Sequence, residues 1–137
     1  NKKNKAYNDD IFNLLDKVEA DIIYLDPPYA GTMNNYFGFY GLIDDYIKSE
    51  KSIAFDNNFT NKKTVAALFD KLFSKLSNFK YWFLSYNNTS LPSKSELLFL
   101  LRKYASEVTV IERSHVYKVT GKAKKQNNKE FLFIAKR

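Results

Sequence analysis

The chain of 137 residues contains no cysteine, one histidine, four glycines and three prolines. Without cysteine there is neither a disulfide framework nor a thiolate metal site, and a lone His115 makes a histidine-based metal centre improbable. Four glycines, at 31, 38, 41 and 121, supply no glycine-rich loop to cradle a phosphate or nucleoside. No apolar run is long enough to span a bilayer and no signal peptide is evident, so a cytoplasmic protein without membrane contact is expected. Acidic residues are outnumbered, 15 against 22 Lys and Arg, leaving a formal charge of +7. That balance suits a polyanionic partner, although it is nearly all lysine and the Asn, Lys, Ile, Phe and Tyr content is compatible with nucleotide bias in the genome. What the chain does have is 45% apolar and 17% aromatic residues, which exclude a disordered tail and support one domain with a real core.

Ile22-Ile23-Tyr24-Leu25 is apolar without alternation and reads as a fully buried strand of a parallel sheet. It runs directly into Asp26-Pro27-Pro28-Tyr29. The prolines hold the backbone extended and remove two amide donors. The strand end is thereby acceptor-rich, with the Asp26 carboxylate, the Pro27 carbonyl and an aromatic ring one step beyond. Carboxyl ends of strands are where open α/β sheets bind ligands, and such a group of acceptors suits an amino group on a planar ring.

Around this centre the pattern alternates. Asn8-Asp9-Asp10 can cap a helix over about 9–19, with Ile11, Leu14, Leu15 and Val18 at helical spacing. After a loop at 30–32, Asn34 to Tyr40 open a helix reaching about Ser49, with Leu42, Ile43, Tyr46 and Ile47 on its apolar face. Ser52 to Phe55 could form a brief strand. Thr60 or Asn61 can cap an amphipathic helix over 62–77, and Tyr81 to Tyr86 is a second dense strand. Ser93-x-x-Glu96 is a capping box for a helix over 94–105. Glu107–Val119 and Glu130–Ala135 are β segments with no helix between them, which implies an antiparallel hairpin around a basic loop containing Lys122, Lys124, Lys125 and Lys129. His115 reads as a surface or hydrogen-bonded side chain.

Asp26 to Tyr29 resembles the Asp-Pro-Pro-Tyr motif of the N6-adenine DNA methyltransferases, and the resemblance covers most of the chain from about residue 8. It implies an α/β fold, the C-terminal half of a Rossmann-like methyltransferase domain ending in the hairpin. It also implies transfer of a methyl group from S-adenosylmethionine to N6 of an adenine flipped out of double-stranded DNA. Asp26 and Pro27 would then bind the N6 hydrogens, Pro28 would shape the turn and Tyr29 would stack on the base. Asp rather than Ser at the first position favours adenine over cytosine N4.

Several further residues take their expected roles from the same resemblance. In that family an acidic residue followed by an apolar one precedes the motif and contacts the cofactor. Asp10-Ile11 matches best, with Asp9 a competitor and a plain helix cap the alternative. Tyr36 falls near the family's base pocket, and Arg113, Tyr117 and Lys118 match a region that approaches DNA. Lys122, Lys124, Lys125 and Lys129 suit phosphate contacts, or simply a solvated hairpin tip. Ser85-Tyr86-Asn87 resembles a strand end at the same sheet edge. The family's Phe-x-Gly-x-Gly cofactor loop and a target-recognition domain are absent, so residues 1–137 resemble a C-terminal portion with an incomplete cofactor site. The open edge of the first strand is then expected to be covered by the helix at 9–19 or, failing that, by self-association or a separately encoded N-terminal half. Two other readings stand beside this one: an amino-methyltransferase acting on RNA or protein, and a non-catalytic remnant that binds nucleic acid or a partner subunit.

Overall fold

A computed structural model describes residues 4–30, 41–43, 45–47, 49, 58–114 and 127–137. In chain order these form α1 (Ile11–Leu14), β1 (Ile22–Leu25), a 3₁₀ turn (Asn58–Thr60), α2 (Val65–Ser74), a second 3₁₀ turn (Leu76–Asn78), β2 (Tyr81–Asn87), α3 (Lys94–Leu101), β3 (Glu107–Ser114) and β4 (Lys129–Lys136). Residues 41–43 and 45–47 are helical. The expected strand at 52–55 and the start of the helix at 34–40 lie outside the described residues.

The four strands form one mixed sheet in the order β1-β2-β4-β3. β1 runs parallel to β2, and β4 is antiparallel to both β2 and β3. The terminal hairpin is therefore as expected, with its second strand lying against β2. A parallel neighbour requires a crossover, and the stretch containing α2 provides it.

One sheet face carries the core. Ile23 and Leu25 of β1, Trp82, Leu84 and Tyr86 of β2, and Phe131, Phe133 and Ala135 of β4 share that face by register. They join Phe69, Leu72 and Phe73 of α2 and Leu97 and Leu101 of α3 in one cluster. Trp82 stacks on Phe73 at 6.4 Å, and its indole N–H donates to the Phe79 carbonyl at 2.9 Å. The largest core side chain thus enters the interior with its one donor satisfied.

The other face is also apolar but is not covered among the described residues. Ile22 and Tyr24 are 57% and 62% exposed, Tyr81 and Ile111 are exposed, and Phe83, Leu132 and Ile134 are half-buried. The expectation that β1 is buried on both sides is therefore corrected: only Leu25 is fully buried, because β1 is an edge strand with one packed face. Likewise Leu42, Ile43, Tyr46 and Ile47 are exposed, Tyr46 at 87%, rather than packed in the core. Helical spacing sorts apolar residues to one side; it does not supply the surface that covers them.

Local signals set the element ends. The capping box forms as expected: the Ser93 N–H donates to Glu96 Oε2 at 2.7 Å, and the Glu96 N–H to Ser93 Oγ at 3.4 Å. α2 begins later than expected, because Asn61 Oδ1 accepts from the Lys63 N–H at 3.0 Å and spends those residues on a turn. α1 is a single turn where a longer helix was expected.

Lys129 is not on a loop but opens β4. It shares Glu112 with Lys94, at 2.5 Å and 2.9 Å. These contacts, Lys129 first, draw the Glu112 carboxyl down from 4.5 to about 2. A depressed carboxyl stabilises the fold above its unfolded value, and this contribution is lost as pH falls from about 4.5 through about 2. An NMR titration of Glu112 should give a midpoint near the lower value, and Lys129→Ala should raise it. A wild-type midpoint at the ordinary value would contradict the bridge.

Candidate active site

β1 delivers Asp26 to the carboxyl end of the parallel pair, where strands end and side chains can meet a ligand. Asp26 is exposed, and among the described residues its carboxylate makes no hydrogen bond or ion pair. Pro27 and Pro28, half-buried, follow it. An unengaged carboxylate at this position retains its full capacity to accept hydrogen bonds.

A cavity of about 320 Å³ lies beside it. One side is formed by Asp9, Asp10 and Ile11 at the start of α1, another by residues 24–28, and Phe59 and Leu72 complete the wall. The expected cofactor pair Asp10-Ile11 and the expected catalytic residues Asp26, Pro27 and Pro28 are thus brought to a single cavity.

The two acidic neighbours are differently engaged. Asp9 accepts from Lys17 Nζ at 2.6 Å, from Asn13 Nδ2 at 3.2 Å and from the Asp10 N–H at 2.9 Å. Lys17, and then Asn13, hold its carboxyl below the usual range. Asp10 caps α1 by accepting from the Phe12 N–H through Oδ1 at 2.9 Å. Its second oxygen has no partner among the described residues. Asp10 is therefore both a helix cap and the less committed acid on the cavity wall, and the two expected roles are compatible.

Tyr29 does not line this cavity. Its half-buried ring meets Tyr86 edge-on, with centroids 5.4 Å apart and planes at 81°. The next residue, Ala30, is buried and bridges to the loop after β2, its carbonyl accepting from the Leu91 N–H at 3.0 Å. Tyr86 is buried in turn, and its hydroxyl donates to the Leu91 carbonyl. The strand end at Ser85-Tyr86-Asn87 thus stands beside the Asp-Pro-Pro-Tyr turn, as expected of two strand-end loops at one sheet edge.

Tyr36, Tyr117, Lys118, Lys122, Lys124, Lys125 and His115 lie outside the described residues. Arg113 is exposed on β3. Tyr24, Phe59 and Leu72 were not anticipated as cavity walls. Leu72 belongs to the apolar stripe of its helix and carries no signal that separates a wall from a core position. Among the described residues, no group of three His, Cys, Asp or Glu could hold a metal, and no helix is long and apolar enough to cross a membrane.

This arrangement places an open carboxylate, a proline-limited backbone and an aromatic ring at one strand end. A second acidic group lies across a small, mostly apolar cavity. Such a set of acceptors and apolar walls is chemically suited to a planar amine-bearing ligand.

Comparison with known proteins identifies a family. The profile of the D12 class N6 adenine-specific DNA methyltransferases matches residues 1–98. The chain is 56% identical over 130 residues to Type II methyltransferase M2.HphI of Haemophilus parahaemolyticus, covering 95% of this chain and 39% of that protein. It is 29% identical to Type II methyltransferase M.FokI of Planomicrobium okeanokoites, of which it covers 20%. Modification methylase StsI of Streptococcus sanguinis is 28% identical, with 21% of its length covered. The chain therefore spans two-fifths or less of each of these relatives. No solved structure matches it.

Proposed function

Because this chain belongs to the D12 class of N6 adenine-specific DNA methyltransferases, we propose that it is part of the catalytic domain of an enzyme that methylates adenine N6 in DNA. The observation that carries the reading is Asp26: an unengaged carboxylate at the end of β1, on the wall of a cavity it shares with Asp10. The β1-β2-β4-β3 order, with an antiparallel β4 inserted beside a parallel pair, supports a Rossmann-like methyltransferase half.

The amine of adenine is a poor nucleophile because its lone pair is delocalised into the ring. Asp26 and the Pro27 carbonyl can accept its two hydrogens and favour the geometry in which the lone pair leaves the ring plane. The carboxylate also stabilises the positive charge that develops on nitrogen as the new bond forms. S-adenosylmethionine supplies the methyl group from its sulfonium. Tyr29 offers a ring on which a flipped base can stack, and alignment then contributes the rest of the acceleration.

The cavity is of a size and polarity to take the adenine end of that cofactor. Asp10 has one carboxylate oxygen available for its amino group, and Ile11, Phe59 and Leu72 supply apolar walls. The methionine end finds no glycine-rich loop in this sequence. That absence favours a second reading, a chain that binds nucleic acid or a partner subunit without catalysis.

Calorimetry separates the two. If the wall at Asp10 seats the cofactor's adenine end, adenosine and S-adenosylmethionine should bind this chain with similar, weak affinity, and Asp10→Ala should weaken both. The absence of heat with either compound would favour the non-catalytic reading.

A further inference from the structure

Tyr86 takes no part in the chemistry just described, yet three contacts place it behind the proposed base site. Its ring meets Tyr29 edge-on at 5.4 Å. Phe69 meets it from α2 at 5.7 Å with planes at 87°, and Phe69 in turn abuts Phe59 of the cavity wall at 5.5 Å. Its hydroxyl donates to the Leu91 carbonyl, while the Leu91 N–H donates to the Ala30 carbonyl. The residue therefore acts on both sides of the same turn, through its ring on the Tyr29 side chain and through Leu91 on the backbone of the next residue.

We propose that Tyr86 is a positioning residue that sets the orientation of the Tyr29 ring for stacking on the target base, an inference that rests on the methyltransferase reading. A residue needed only to fill the core at the end of β2 could be leucine or phenylalanine. A tyrosine brings a hydroxyl into a buried place, and that is tolerated because Leu91 accepts its hydrogen bond. Edge-to-face contact fixes ring planes as well as filling volume, since the positive edge of one ring meets the negative face of the other. Phe69, packed behind, keeps Tyr86 from yielding when Tyr29 is loaded. The hydroxyl, through Leu91, limits movement of Ala30, so Tyr29 is restrained at the backbone and at the ring together.

The test places 3-fluorotyrosine at position 29 and follows its fluorine resonance, which needs no methyl transfer. Tyr86→Met fills much of the volume without an aromatic ring and should move the resonance toward that of free fluorotyrosine. Tyr86→Phe should keep the resonance near the wild-type position while speeding amide exchange at Leu91. Phe133→Leu is the control, because Phe133 is equally buried but its ring contact is with Phe131. It should lower stability and leave the Tyr29 resonance in place. An unmoved resonance in Tyr86→Met, or an equal shift in Phe133→Leu, overturns the proposal. Should Tyr86→Met not fold, unchanged exchange at Leu91 in Tyr86→Phe overturns it and faster exchange supports it.

In a full-length enzyme carrying this segment, Tyr86→Met should lower kcat roughly tenfold to a hundredfold, with KM for the cofactor little changed and kcat largely recovered in Tyr86→Phe. Wild-type kcat in Tyr86→Met also overturns the proposal. If the wild-type enzyme methylates no DNA, the methyltransferase reading fails, and the fluorine measurement still decides whether Tyr86 orients Tyr29.

Discussion

Asp26→Ala in a full-length enzyme carrying this segment is expected to reduce kcat by a hundredfold or more, about 3 kcal/mol by analogy with loss of an oxyanion-hole donor. The carboxylate is assigned to the N6 amine as charge develops on it, so its removal should be felt in kcat far more than in KM. DNA affinity, carried mainly by phosphate contacts, should be largely spared. The fold should be spared too. Asp26 is exposed and bonds to nothing among the described residues, and substitutions at such surface positions usually change stability by no more than about 0.5 kcal/mol. Steady-state kinetics with a DNA-binding assay and a thermal melt read all three quantities. An alanine variant with near-normal kcat would refute the role of Asp26. A loss of kcat accompanied by unfolding would refute the claim that the side chain is structurally idle.

The second large effect concerns the isolated chain, which is expected to self-associate. β1 is an edge strand whose outward backbone is unpaired within the described sheet, and it carries neither charge nor proline to protect it. Beside that edge lies an apolar face that no described residue covers, from Ile22 and Tyr24 across Tyr81 and Phe83 to Ile111. An edge and a face of this kind favour contact with a second copy, or with a separately encoded remainder of the enzyme where one is supplied. Sedimentation at several concentrations should show the mean mass rising with concentration. Ile22→Lys together with Ile111→Lys should reduce that rise, since lysine is costly to bury at a contact. A monodisperse monomer whose outward Ile22 and Tyr24 amides exchange fast would show that the open edge is tolerated.

Much of this structure was legible because it is encoded locally. The Ser93/Glu96 capping box needs only residues three apart, and the Glu107–Ser114 and Lys129–Lys136 hairpin follows from two β runs with no helix between them. The strand end was legible for a different reason: two prolines after a carboxylate form a short pattern that stops a strand, and β1 does end there, with Asp26, Pro27 and Pro28 on one cavity wall. What failed depended on distant partners. Ile22 and Tyr24 look like core until it is known that nothing in the described chain lies over them. The apolar side of helical residues 41–43 and 45–47 has the right period but meets no surface among the described residues. Lys129 reads as a mobile charge until the hairpin register, which pairs it with Ser114, brings Glu112 diagonally within reach. Phe59 and Leu72 become cavity walls only through the position of α1, which is held by its capped turn, the burial of Leu15, the Phe12–Phe59 stack at 6.3 Å and the Lys75–Asp16 ion pair at 2.9 Å.

The central claim is that Asp26 and its turn present the N6 amine of adenine for methylation. The measurement that tests it most directly incubates DNA with a full-length enzyme carrying this segment and methyl-labelled S-adenosylmethionine, then digests the product to nucleosides. The account predicts label in N6-methyldeoxyadenosine alone, and none when Asp26→Ala replaces the wild type. Label in a cytosine nucleoside, or undiminished adenine labelling by the Asp26→Ala enzyme, would contradict it.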